Sequence, residues 1–130
     1  MLKRTLTLKI RSSIYVVPMG EILYMMSERH LIRVHTTMGD YLYYARFDDV
    51  MPDLDRRFSR CHRSYILNLD RIIFLDNLKI GLDDRSVLFF GKATFLRLKK
   101  ELEEYSEWKR IWLREMDKKK EIQIACARRP

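Results

Sequence analysis

The sequence predicts an antiparallel β protein with one short central helix and a long helix at its C-terminal end. Three observations carry this. Apolar and polar residues alternate with period two along most of the first ninety positions, as half-buried strands require. Turn-forming pairs punctuate that pattern at short intervals. The period changes to three and four residues only twice, once near position 50 and once beyond position 94.

In order, Thr5-Leu6-Thr7-Leu8-Lys9-Ile10 alternates strictly and reads as the first strand, followed by a turn at Arg11-Ser12-Ser13. Ile14-Tyr15-Val16-Val17 is the second strand, stopped by Pro18 and Gly20. Glu21 to Met26 is the third, and Ser27-Glu28-Arg29-His30 is a polar connection into Leu31-Ile32-Arg33-Val34-His35-Thr36. Met38-Gly39-Asp40 turns the chain, and Tyr41-Leu42-Tyr43-Tyr44 pairs back as a hairpin. Further strands are predicted at 65–67, 71–75, 78–82 and 86–90, with turns at Asp76-Asn77 and Asp83-Asp84.

Phe47, Val50, Met51, Leu54 and Phe58 recur at helical spacing. Pro52 lies inside that run, and proline is tolerated only in a first turn, so this helix is expected to be short, bent or late-starting. Phe95, Leu98, Leu102, Tyr105, Trp108, Trp112 and Met116 trace one stripe of a second helix, with Thr94 as its N-cap. That helix is expected to run about 24 residues, roughly 36 Å at 1.5 Å per residue. Positions 117–130, with Lys118-Lys119-Lys120 and Arg128-Arg129, read as a frayed basic tail.

The chain has 130 residues, 47% of them hydrophobic, enough for the core of one domain. No apolar run approaches the roughly 18 residues of a membrane span, and no apolar segment follows Met1-Leu2-Lys3-Arg4, so neither membrane insertion nor a signal peptide is expected. A cytoplasmic location follows. The net charge of +8 favours an anionic partner. Cys61 and Cys126 make no disulfide framework, and no metal-ligand spacing surrounds Cys61-His62, so no metal or other cofactor is expected. No nucleophile–base–acid set or glycine-rich phosphate loop is visible, which argues against an enzyme.

Positive charge is densest at Arg56, Arg57, Arg60 and Arg63, with no acid among them. Arg60, His62 and Arg63 sit on a tight segment running into the apolar strand Tyr65-Ile66-Leu67. Ser64 and Asn68 can tie down the turns at its ends through local backbone bonds. Charges held on a stiff support suit the reading of phosphates and base edges; the alternative is that the arginines are merely solvated and His62 packs locally.

The stretch Arg60-Cys61-His62-Arg63-Ser64, followed by an apolar strand and Asn68, resembles the LytTR DNA-binding domain of bacterial transcription regulators. Gly20-Glu21-Ile22-Leu23-Tyr24 and Gly39-Asp40 are similar to that family at matching spacing, and the likeness spans about residues 5–103. The resemblance implies small antiparallel sheets packed side by side, and double-stranded DNA read in the major groove by loops. Carried onto this chain, the loops are 27–30, 60–64 and 91–93. Arg63 is then the candidate for a bidentate guanine contact. Arg60 and Lys92 are candidates for phosphates. Arg29, His30, His62 and Ser64 complete the set, with His62 leaning to a role in holding its loop. Gly91-Lys92-Ala93 departs from the Ser-Arg or Ser-Lys common in the family, which implies a weaker third contact.

Most members of that family carry a receiver domain ahead of the DNA-binding part. Here the first strand begins within about five residues of Met1, so the expectation is a stand-alone, response regulator-like domain, 1–104, with a helical extension and basic tail, 105–130. Binding as a homodimer on repeated half-sites is expected. Trp108, Ile111, Trp112 and Met116 either cover the core or present a stripe to a protein regulator. A competing reading is therefore a protein-interaction module that modulates another regulator with little sequence-specific DNA binding. Exposed tyrosines among Tyr41, Tyr43 and Tyr44 leave RNA stacking as a weaker alternative.

Overall fold

The computed structural model describes residues 2–127, with side chains through Lys118. It holds ten strands: β1 (Thr5–Ile10), β2 (Ser13–Pro18), β3 (Ile22–Glu28), β4 (Leu31–Thr36), β5 (Gly39–Tyr44), β6 (Phe58–His62), β7 (Tyr65–Asn68), β8 (Ile72–Asp76), β9 (Lys79–Leu82) and β10 (Val87–Phe89). The helices are α1 (Phe47–Val50) and α2 (Lys92–Ala127).

The strands form three antiparallel sheets: β1-β2, β5-β4-β3-β7-β6 and β10-β9-β8. The five-stranded sheet lies in the middle and is covered on both faces. Ile22, Met25, Ile32, Val34 and Ile66 pack with Leu6, Leu8 and Val17 of the first hairpin and with Phe47 and Val50 of α1. Leu23, Cys61 and Leu67 pack with Ile80 and Leu82 of β9 and with Leu98 and Tyr105 of α2. Alternation along β3 supplies both faces. A register shift between Ile22 and Tyr24 changes the phase once, so the neighbours Leu23 and Tyr24 both join the second core.

The predicted strands are all present, with ends moved by one or two residues. The helical signal near position 50 resolves into the four residues of α1 and a 3-10 turn, Met51–Asp53, that holds Pro52. Phe58 is not on that helix: it opens β6 and is buried in the first core. Thr94 does not cap α2, which starts two residues earlier at Lys92. Nor does α2 stop after about 24 residues. It runs 36 residues, so the backbone of 117–127 is helix where a frayed tail was expected. The lysines at 119 and 120 and the end of the basic tail, Arg128-Arg129, lie outside the described side chains.

Two polar devices hold the strands in place, one within the central sheet and one between sheets. Asn68 is fully buried; its Nδ2 donates to the Ile22 carbonyl at 2.7 Å and its Oδ1 accepts from Asp70 N–H at 2.9 Å. It thus links β7 to the start of β3 and shapes the turn that follows. His35 on β4 lies between Asp40 Oδ1 and Asp84 Oδ2, each at 2.6 Å from a ring nitrogen. Asp84 belongs to the β9–β10 turn, so the imidazole staples the central sheet to the three-stranded one. Both ring nitrogens can donate only in the imidazolium form. Burial opposes that charge, but Asp84 and Asp40 outweigh it and raise the His35 pKa above its ordinary 6.5. Burial likewise opposes ionisation of the two carboxyls, and His35 with its other donors still holds both below their usual range.

The sign of the pH dependence follows. A raised histidine pKa stabilises the fold fully below about pH 6.5 and loses that contribution as pH rises through the folded value. The lowered carboxyl values contribute above about pH 4 and are lost on acidification. The stability difference between the native chain and His35→Gln is therefore expected to be largest between these limits and to shrink as pH rises through the folded value of His35. Urea titrations across that range check it, and a pH-independent difference would remove the charged staple.

Candidate nucleic-acid interface

Two hairpin turns meet at one end of the central sheet. The β3–β4 turn places Arg29 and His30 at φ 48° and 67°. Two successive positive φ values make the tight turn whose twist matches the flanking strands, a shape that Asn-Gly adopts far more cheaply than Arg-His. The Asn77-Leu78 turn has the same form, so the strain alone does not mark a site. What sets Arg29-His30 apart is exposed cationic or titratable side chains on a rigid tip.

The β6–β7 turn is Arg63-Ser64, between His62 and Tyr65, which pair across the hairpin. Neither turn residue has positive φ, so the turn lacks the twist of the first one and is held by other bonds. His62 Nδ1 accepts from Ser64 N–H at 3.1 Å, which assigns the proton of the neutral ring to Nε2. The His62 ring stacks on Phe90, centroids 5.6 Å apart, and Phe90 meets Tyr65 edge-on at 5.3 Å. The Ser64 carbonyl accepts from Ser27 N–H at 2.9 Å, which locks this turn beside the β3–β4 turn. Arg63 is left exposed at the tip, without an ion pair among the described residues.

Helix α2 braces the strand behind the turn. Arg97 donates to the Cys61 carbonyl, and Ser59 bonds Glu101. Burial pushes the Cys61 thiol up to about 12, so this cysteine is packing and not a nucleophile. Phe90 brings the start of α2 beside His62, and the exposed Lys92 stands there. The third predicted loop, 91–93, is a correction: only Gly91 precedes the helix, and Lys92 and Ala93 are its first two residues. The second, 60–64, is also shorter than expected, since Arg60 and His62 lie on β6.

The structure brings His30, Arg60 and Arg63 into one cleft of about 290 Å³ with Ser27, Arg46, Phe47 and Asp48. Arg29 lies on the rim turn, and Lys92 lies outside the cleft. Sequence reasoning missed Arg46 and Asp48. The available signal was an arginine at the cap position of α1, where Ser, Thr, Asp or Asn is favoured.

The apparent run of unopposed arginines is not one patch. Arg57 is buried against Asp55, with its Nη2 2.8 Å from Oδ2. Arg56 lies over the Trp108 ring, 4.7 Å from its centroid. Arg60 pairs with Asp48 at 2.6 Å and lies over Phe47. Asp55, two residues away, and Asp48, twelve residues away, thus hold two of the four, an aromatic ring holds a third, and Arg63 alone of the four has no such partner among the described residues.

The chain is thus three small antiparallel sheets with two cationic turns gathered at one end of the central one. A family model, the LytTr DNA-binding domain, matches residues 12–103, and the chain belongs to that family. Four chains of solved structures match; one is a LytTr DNA-binding domain from Bacillus cereus, 22% identical, with a TM-score of 0.63 over 77% of this chain and 97% of that one. No curated protein matches.

Replacing the β3–β4 turn by Asn-Gly (Arg29→Asn with His30→Gly) is expected to stabilise the fold by about 1 kcal/mol, since the left-handed backbone then carries no side-chain strain. The same change is expected to weaken duplex binding. A thermal melt and a binding titration read the two effects; unaltered binding would take both side chains out of the interface.

Proposed function

We propose that the chain is a sequence-specific reader of double-stranded DNA that regulates transcription in bacteria, inserting its turns into the major groove. The observation that carries this is the Ser27–Ser64 bond, which sets two cationic turns side by side with Arg63 at the tip. A bidentate arginine at such a tip distinguishes guanine from other bases by about 1–3 kcal/mol. Arg29, His30 and Arg60 lie around it, Lys92 stands outside the cleft, and the four supply phosphate contacts that set register without reading sequence. His62 and Ser64 hold the turn. The reading is of a cytoplasmic binding protein, not an enzyme.

One contact end of this size reads only a short site, so two subunits on repeated half-sites about one helical turn apart belong to the proposal. So does the division into a binding part, 1–104, and an extension, 105–130. The family match ends at residue 103, and Tyr105 is the last buried side chain described on α2.

A second reading keeps one observation. Past that point α2 exposes Ile111, Leu113 and Met116, at 50%, 46% and 38%. Trp108 and Trp112 stack beside them, with centroids 6.1 Å apart. Such a stripe fits a protein regulator, in which case DNA reading is secondary.

Selection of bound duplexes from a random pool near physiological salt decides between them. A recovered motif repeated about one turn apart supports the reader; weak, motif-free binding with steep salt dependence supports the interaction module. On the recovered motif, Arg63→Ala is expected to lose about 10-fold and to relax preference at one base position. Lys92→Ala is expected to weaken all duplexes alike and to shallow the salt slope by about 1. An equal loss for Arg63→Ala on every sequence would rule out base reading by that side chain.

A further inference from the structure

The cleft beside the two turns holds two residues that the reading above leaves unused, Arg46 and Asp48. Arg46 occupies the cap position of α1 with extended backbone, φ −104° and ψ 152°, yet makes no capping bond. Residues with a short oxygen-bearing side chain are favoured there, so arginine forgoes about 1 kcal/mol of capping. Local rules are broken most often where a site needs a particular side chain. The guanidinium is exposed, and its neighbour Phe47 is buried in the first core, which pins the backbone that carries it.

Asp48 lies on the next exposed position and takes the Arg60 guanidinium at 2.6 Å. Arg60 is 39% exposed and Asp48 79%, so the pair sits in water. A pair of this kind contributes little to stability and opens at little cost. A phosphate also accepts from a guanidinium, often through two parallel bonds. An arginine held by a surface carboxylate is therefore an arginine in reserve.

We infer that Arg46 and Arg60 form a clamp for one backbone phosphate of the duplex, and that Asp48 occupies Arg60 in the free protein and competes with that phosphate. The inference rests on the DNA-reading function proposed above and adds two residues to it, one that attracts the backbone and one that restrains binding. The clamp lies next to Arg63 and His30 in one cleft, so a phosphate seated in it fixes how far Arg63 reaches into the groove. Asp48 lowers affinity for every sequence by the same factor. That keeps non-specific binding weak and leaves discrimination to the turn.

The test uses the full chain and two duplexes, the selected motif and an unrelated sequence, titrated across a range of salt. Asp48→Asn is expected to tighten both by several-fold. In an Arg60→Gln background the gain is expected to vanish, because the restrained group is gone. Arg46→Gln is expected to weaken both alike and to lower the salt slope by about 0.9, while Arg46→Lys keeps the slope. Thermal midpoints confirm that each variant is folded. An Asp48→Asn gain that persists unchanged without Arg60 would overturn the competition, and so would no gain at all. An unchanged slope in Arg46→Gln would overturn the clamp. If the native chain binds no duplex, the function proposed above fails with it; if it binds its motif while these variants are silent, only the clamp fails.

Discussion

The pairing of β3 with β7, buried on both faces, is the constraint on which the charged end depends. Met25 pairs with Ile66 against the first hairpin, and Tyr24 with Leu67 against β9 and α2. Removing apolar surface on both sides of one strand pair leaves little freedom of register, since a slip of one residue would exchange the two cores. The same pairing continues into the Ser27–Ser64 bond. Two turns that belong to different hairpins are thereby held in fixed relation, and Arg63 projects from a base as rigid as the core.

Charge at that end is organised by what restrains it. Arg57 is spent on Asp55 and the carbonyl of Lys3, which ties the residue stretch ahead of β1 to the segment just before β6. Arg56 covers an indole, and Arg60 is held by a carboxylate in water. A net charge of +8 therefore says less about binding than which arginine of the 56–63 cluster is left without a partner among the described residues. Arg63 has that position because its turn is short and its neighbours, His62 and Ser64, spend their polar groups on each other and on β3.

Helix α2 has two roles along its length. Through Tyr105 it closes the second core and braces β6 by way of Arg97 and Glu101. Lys109 then reaches Asp70 at 2.6 Å, and beyond it Ile111, Leu113 and Met116 turn to solvent. A Cβ at Gly91 would meet no neighbour, so the backbone there does not require glycine.

Much of this was legible in the sequence. Period-two alternation located the strands, because burial on a pleated sheet imposes it locally. The run from Arg60 to Asn68 pointed to the family and to the turn that matters. The helical period misled at Phe58, where a residue of the first core happens to fall four positions after Leu54 on the chain. Thr94 is not the cap of α2, because a residue type that suits a cap does not by itself say where a helix begins, and this one begins at Lys92.

By itself the sequence determined the class of fold, the family and which side chains are cationic, since these follow from local pattern and composition. Tertiary structure alone decided which cations are available. Asp48 and Trp108 reach their arginines from other elements, and the Ser27–Ser64 bond joins positions 37 residues apart. No period or motif encodes such pairings; they exist only once burial of two cores has fixed where each strand lies.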